Sequence, residues 1–186
     1  MIVRAYQVPV GWLRATAGST RPPSIDTSKP DSVLDALRTA DVAEFDAALP
    51  ASVVTPAQRS TVVDEMLKDV PIPPGFDIEP VAAEAVYTDR VALATAVAVH
   101  VSCGWLDEWF IVWETEDATE LDTILDALES SHDWPMLADI TPEQSGFPEQ
   151  LGQIVDSLRT GGSVMTGAGP APITRDTAAQ SLGCTW

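Results

Sequence analysis

Trp105, Asp107, Glu108 and Trp109 fall within five consecutive residues. Aromatic rings beside paired carboxylates are the chemistry of a glycan site, one carboxyl serving as acid or base while a ring stacks on the sugar. On a helix, however, residues 105, 107 and 109 point in different directions, and the 107/108 pair is adjacent rather than facing across a cleft. Packing of Trp105, Trp109, Phe110 and Trp113 into a core is the leading reading. A glycan-acting hydrolase or glycan-binding module is the alternative. His100 and Cys103, three residues apart, would share a helix face and could hold a metal or form a thiolate pair. Only His132 and Cys184 remain to complete a zinc set of His and Cys, and both are distant in sequence. A packed histidine beside a structural cysteine is the simpler reading. No GxSxG, HExxH, P-loop, GxGxxG or DxDxDG pattern occurs, so the sequence assigns no catalytic residue, metal or cofactor.

Charge is the strongest anomaly. The chain of 186 residues carries 28 Asp and Glu against 10 Lys and Arg, a formal charge of -18. So negative a molecule repels phosphate backbones, which excludes nucleic-acid binding as its main task. Between Val91 and Leu158 there is no Lys or Arg, while fourteen carboxylates occur from Asp107 to Asp156. Five of them, Glu114, Glu116, Asp117, Glu120 and Asp122, crowd into nine residues. A charge run is commonly a solvated face. It is also the footprint of a docking face for a basic protein, whose encounter it would accelerate in a salt-dependent way.

These residues need elements to hold them. With 45% of residues hydrophobic, the chain can bury a core. Residues 1–30 differ from the rest, carrying Arg4, Arg14, Arg21 and Lys29 against Asp26 and ending in a Pro- and Ser-rich stretch. They read as an extended arm, packed as one edge segment or mobile. From Asp31 the spacing turns helical: Val33, Leu34 and Leu37, then Val42, Phe45 and Leu49, stopped by Pro50. Thr55-Pro56-Ala57-Gln58 predicts a capped helix to about Lys68. The PIPPGF stretch, residues 71–76, must cross the surface as an extended strap. Residues 88–113 carry both a period-two and a period-four pattern, and alanine content favours a helix capped by Thr88. Asp117 with Glu120 opens another helix. Trp134-Pro135 predicts a short one through Met136, Leu137 and Ile140. Pro142 and Pro148 suit first turns, the second leading a helix that buries Leu151, Ile154, Val155 and Leu158. GGSVMTGAGPAP reads as a flexible connector, and Thr174 caps a last helix ending at Gly183.

The expected fold is therefore all-α: an orthogonal bundle of six to eight helices over residues 31–160, with an N-terminal arm (1–30) and a Gly/Ala/Pro connector leading to a docked C-terminal segment (161–186). The longest charge-free stretch, residues 91–106, falls short of the ~20 residues a membrane span needs, so no direct membrane insertion is expected. Cys103 and Cys184 fit two free buried thiols or one disulfide tying the tail to the core.

Four stretches carry a resemblance: PIPPGF, DRVALATAVAVHVSCGWLDEW from Asp89, SHDWPML from Ser131, and the closing SLGC. Over residues 31–184 the chain resembles an uncharacterised bacterial helical domain family, usually the exported part of membrane-anchored proteins. The resemblance implies a helical extracytoplasmic domain with no assigned activity and favours the disulfide; a cytoplasmic protein is the alternative. The reading that results is a non-enzymatic acidic interaction domain, an accessory or a regulatory or inhibitory partner of a basic protein.

Overall fold

In a computed structural model the described residues are 2–8, 11–17, 41–137, 140, 145–167 and 169–184, the first two stretches by backbone alone. They hold seven α-helices and three short antiparallel ladders, so helix dominates as the sequence patterns require. The chain divides into two compact units, residues 1–45 and 46–186.

In the first unit, β1 (Ile2–Val8) pairs with β2 (Gly11–Ala17) as a hairpin whose register joins Val8 to Gly11. An extended arm, packed as one edge segment or mobile, was the expectation. The chain instead folds back on itself, which lets each strand satisfy the other's amides and carbonyls. The helix expected around Val33, Leu34 and Leu37 lies outside the described residues. α1 (Val42–Ala47) begins at the end of this unit.

The second unit is organised around one long helix. β3 (Val53–Val54) pairs with β4 (Thr88–Asp89), and the amide of Arg90 continues the ladder to the carbonyl of Ser52 at 2.8 Å. This pins the start of α4 (Arg90–Thr115), the 26-residue element over which period-two and period-four patterns compete. Helix wins. The cap falls one residue later than expected: Asp89, itself paired with Val53 in the ladder, accepts from the Val91 amide at 2.9 Å. α4 buries Leu93, Ala94, Val97, Ala98, Val101, Trp105, Leu106, Trp109 and Val112. Its alanines let neighbouring elements approach closely, and α4 touches every other substantial helix of the unit: α2 (Arg59–Met66), α5 (Ala118–Glu129), α6 (Phe147–Thr160) and α7 (Arg175–Leu182). Among the described residues no helix is long and apolar enough to cross a membrane.

α2 starts three residues later than its sequence suggests, with residues 56–58 in a turn and no side-chain cap at Gln58. Gln58 Oε1 accepts the Thr55 amide at 3.1 Å, and Val63 and Met66 enter the core. Buried Arg59 donates to the Val81 carbonyl at 2.7 Å and to Glu84 at 2.6 Å. That anchors α3 (Glu79–Ala82), the short helix after the proline strap. The strap itself contains no helix, since Pro71, Pro73 and Pro74 lack the amide protons a helix uses.

Two expectations along the C-terminal half need correction. No helix starts at Trp134-Pro135. α5 instead tightens into a 3-10 turn (Ser130–Asp133), and Trp134 leaves it extended, as a residue before proline prefers. Trp134 is buried, its indole N–H donating to Ser130 Oγ at 3.2 Å, and Met136 and Leu137 are buried behind it. The helix start proposed for Pro142 lies outside the described residues. The GGSVMTGAGPAP stretch is not a free connector. It forms β5 (Ser163–Thr166) and β6 (Gly169–Pro172), with Gly169 at φ +113°, a conformation open to glycine. α6 opens on Pro148 and buries all four residues predicted for it. α7 is capped reciprocally by Thr174 and Thr177, ends at left-handed Gly183, and buries Ala178 and Leu182 in the core.

Candidate functional site

α4 and α5 are joined by two residues, Glu116 and Asp117. So short a link makes a sharp corner, and the corner is where the acidic run falls. Glu116 turns the chain from the left-handed region, φ +57°. Asp117 caps α5, its Oδ1 accepting from the Thr119 and Glu120 amides at 3.1 Å each. Glu114 sits on the last turn of α4, and Glu120 and Asp122 on the first turns of α5. All five carboxylate residues are exposed. Charge at a helix N-terminus is favourable for Asp117 and Glu120, whereas Glu114 and Glu116 sit at the unfavourable end of α4. Nothing in the packing requires that pair.

Apolar surface adjoins the charge. Trp113 is 58% exposed and stacks on Trp109, ring centroids 5.0 Å apart at 20°, while Trp109 itself is 5% exposed and meets Phe110 edge-on. Ile111 is 49% exposed. The aromatic stripe thus enters the core at Trp105 and Trp109 and surfaces at Trp113.

The cations that flank the run in sequence are spent elsewhere, Arg90 on Glu65 at 3.7 Å. Arg159 of α6 pairs with Asp126 at 3.0 Å and with Glu129 of α5. These contacts, the Glu129 hydrogen bond first, hold its guanidinium above its ordinary pKa. Arg175 pairs with Asp107. Among the described residues no ion pair reaches Glu114, Glu116, Asp117, Glu120 or Asp122. Elsewhere in the unit, a hydrogen bond to the Asp46 carboxylate raises the pKa of the Tyr87 phenol.

The left-handed Glu116 yields a direct prediction. Glu116→Gly relieves a conformation that a Cβ disfavours and should raise unfolding free energy by about 1 kcal/mol, read from the urea midpoint. An unchanged or lower midpoint would show the corner unstrained.

The residues of the glycan alternative are divided by α4. Trp105 is 9% exposed and donates its indole N–H to the Pro71 carbonyl at 3.0 Å, so its ring belongs to the core and strap. Asp107 is committed to Arg175. Glu108 and Asp107 line a groove between α4 and the proline strap, together with His100, Phe76 and Cys184. Neither Trp105 nor Trp109 is a wall of that groove. His100 Nε2–H donates to the Asp77 carbonyl at 2.6 Å, and its ring meets Phe76 edge-on at 5.3 Å. Cys103 is bonded to Cys184, with Cα atoms 5.6 Å apart, and His132 lies elsewhere against Asp133 and the Glu129 carbonyl. Among the described residues no group of three or more His, Cys, Asp or Glu is placed to hold a metal.

One structural residue escaped sequence reasoning: Gly104. A Cβ there would lie 2.7 Å from Pro73 Cγ, so the missing side chain is what lets the strap lie against α4. A glycine inside a long helix, with a proline-rich stretch upstream, was the available signal. No family model matches the chain, and no curated protein or solved structure matches it.

Proposed function

We propose that this chain is a non-enzymatic, acidic interaction domain that captures a basic protein, acting as its accessory or its regulatory or inhibitory partner. One observation carries the reading: at the α4–α5 corner five exposed carboxylates, with no cation among the described residues paired to them, adjoin exposed Trp113. Unpaired surface charge raises the encounter rate with a basic partner, and an exposed tryptophan supplies the apolar anchor that charge alone lacks. The Cys103–Cys184 bond supports an extracytoplasmic setting, since disulfides persist in oxidising compartments. The same reading takes the helices around α4 as an orthogonal bundle and the chain as the exported part of an anchored parent.

Asp117 should be left out of any test, because removing a helix cap costs about 1 kcal/mol by itself. The informative variant reverses Glu114, Glu120 and Asp122 to Lys. With the partner captured from the native host, association should slow at least tenfold, roughly 1.4 kcal/mol, and its salt dependence should flatten. Trp113→Ala should accelerate dissociation instead. Unchanged rates in the triple variant at low and high salt would end the docking proposal.

A further inference from the structure

The groove beside the corner-bearing helix has a character of its own. Its floor is the face of α4 that carries His100, Gly104 and Glu108, one wall is the strap, and the other is Gly183 with Cys184. Its volume is about 430 Å3, within the range of ligand sites. Four devices keep it shaped: Gly104 admits Pro73, Trp105 holds the Pro71 carbonyl, His100 holds the Asp77 carbonyl, and the disulfide fixes Cys184. It is therefore pre-formed and loses little entropy on binding.

The lining is mixed, with apolar rings beside acidic groups. Phe76, Pro74 and Pro80 provide ring surface. Asp77, Asp107 and Glu108 are its acidic groups, and among the described residues no Lys or Arg lines it. Asp107 is neutralised by Arg175, and Asp77 accepts the Glu79 amide at 2.9 Å while staying exposed. Among the described residues Glu108 has no hydrogen bond or ion pair. His100, the one other titratable wall, already gives its Nε2 proton to the Asp77 carbonyl. A half-buried carboxylate without a cation, beside an aromatic ring and prolines, matches a long side chain with an apolar stem and a positive head.

We infer that this groove takes one arginine or lysine side chain of the basic partner, its stem over Phe76 and the prolines and its charge at Glu108 and Asp77. The inference rests on the reading of the chain as a binder of basic proteins and adds a second, shape-selective contact on another face of α4.

The test uses the whole chain, isotope-labelled, titrated with acetyl-Gly-Arg-Gly-amide, its lysine counterpart and the uncharged citrulline counterpart, while amide resonances are followed. The charged peptides should produce saturable shifts at Gly75, Gly104 and Glu108, with affinity near ~1 mM for a lone side chain, and citrulline should bind at least tenfold more weakly. Glu108→Gln, and independently Ala96→Phe at an exposed position lining the groove, should each weaken the charged peptides at least tenfold with the fold intact. Equal binding of citrulline, full binding by Glu108→Gln, or shifts confined to residues 114–122 would overturn the inference. The triple corner variant keeps the arms separate. Groove shifts that survive in it while partner capture is lost support both sites; capture by an intact corner without groove shifts removes only the groove.

Discussion

Replacing Cys103 and Cys184 together by alanine should lower the unfolding free energy by about 4.5 kcal/mol, the loop-closure entropy of a cross-link spanning 81 residues. Domains of this size are stable by only about 5–15 kcal/mol, so the loss is a large share of the total. The melting temperature should fall by roughly 10–15 °C. The effect acts mainly on the unfolded chain, which gains freedom when the loop between residues 103 and 184 is opened. In the folded state Ala178 and Leu182 still enter the core, and Arg175 still pairs with Asp107. Secondary structure below the transition should therefore be preserved. The same drop should appear in the unmodified chain after thiol reduction. Intact mass under alkylation supplies the independent check: two reactive thiols in the denatured, unreduced protein would refute the bond and the stability estimate together.

Gly104→Val is the second large effect, with an expected cost of about 3 kcal/mol. Alanine at this position already brings a Cβ to 2.7 Å from Pro73 Cγ and 3.7 Å from Phe76 Cδ2. Replacing glycine by alanine inside a helix otherwise gains about 1 kcal/mol, which offsets part of that clash. Valine adds two methyl groups and loses most of the propensity gain, so overpacking against a buried proline decides the sign. The strap must lift. Its movement would separate Trp105 from the Pro71 carbonyl, shifting the Trp105 indole N–H resonance and its fluorescence, while Gly104→Ala should stay within about 1 kcal/mol of the parent. A valine variant with the parent's urea midpoint would show that close approach of the strap is dispensable.

Where several local signals agreed, sequence reading located the elements. α6 has a first-turn proline, a clean apolar stripe and a terminal glycine, and all appear where expected. α4 was legible as a helix because alanines and a four-residue aromatic spacing outweighed the alternation of valines. Short two-stranded ladders were not legible. β5 and β6 are four residues each, rich in glycine and proline, and too short for any side-chain period to emerge. The start at Trp134-Pro135 failed for a different reason, since burial of the Trp134 ring and the extended preference before proline prevailed over first-turn propensity. For the candidate site, the charge run was visible in sequence, but the exposure of Trp113 was not, because its four-residue spacing from Trp105 and Trp109 predicts the same buried face. The groove was invisible too, because it joins residues 73–80 to 96–108 and 183–184 through contacts no local pattern encodes.

The bond between Cys103 and Cys184 closes the chain into a covalent ring that contains α5, α6 and α7. A protease that cuts once anywhere on that ring frees no fragment; the two pieces stay tethered and migrate as one species until a thiol is added. The acidic corner lies on the ring, so a single nick leaves that surface attached to the rest of the molecule.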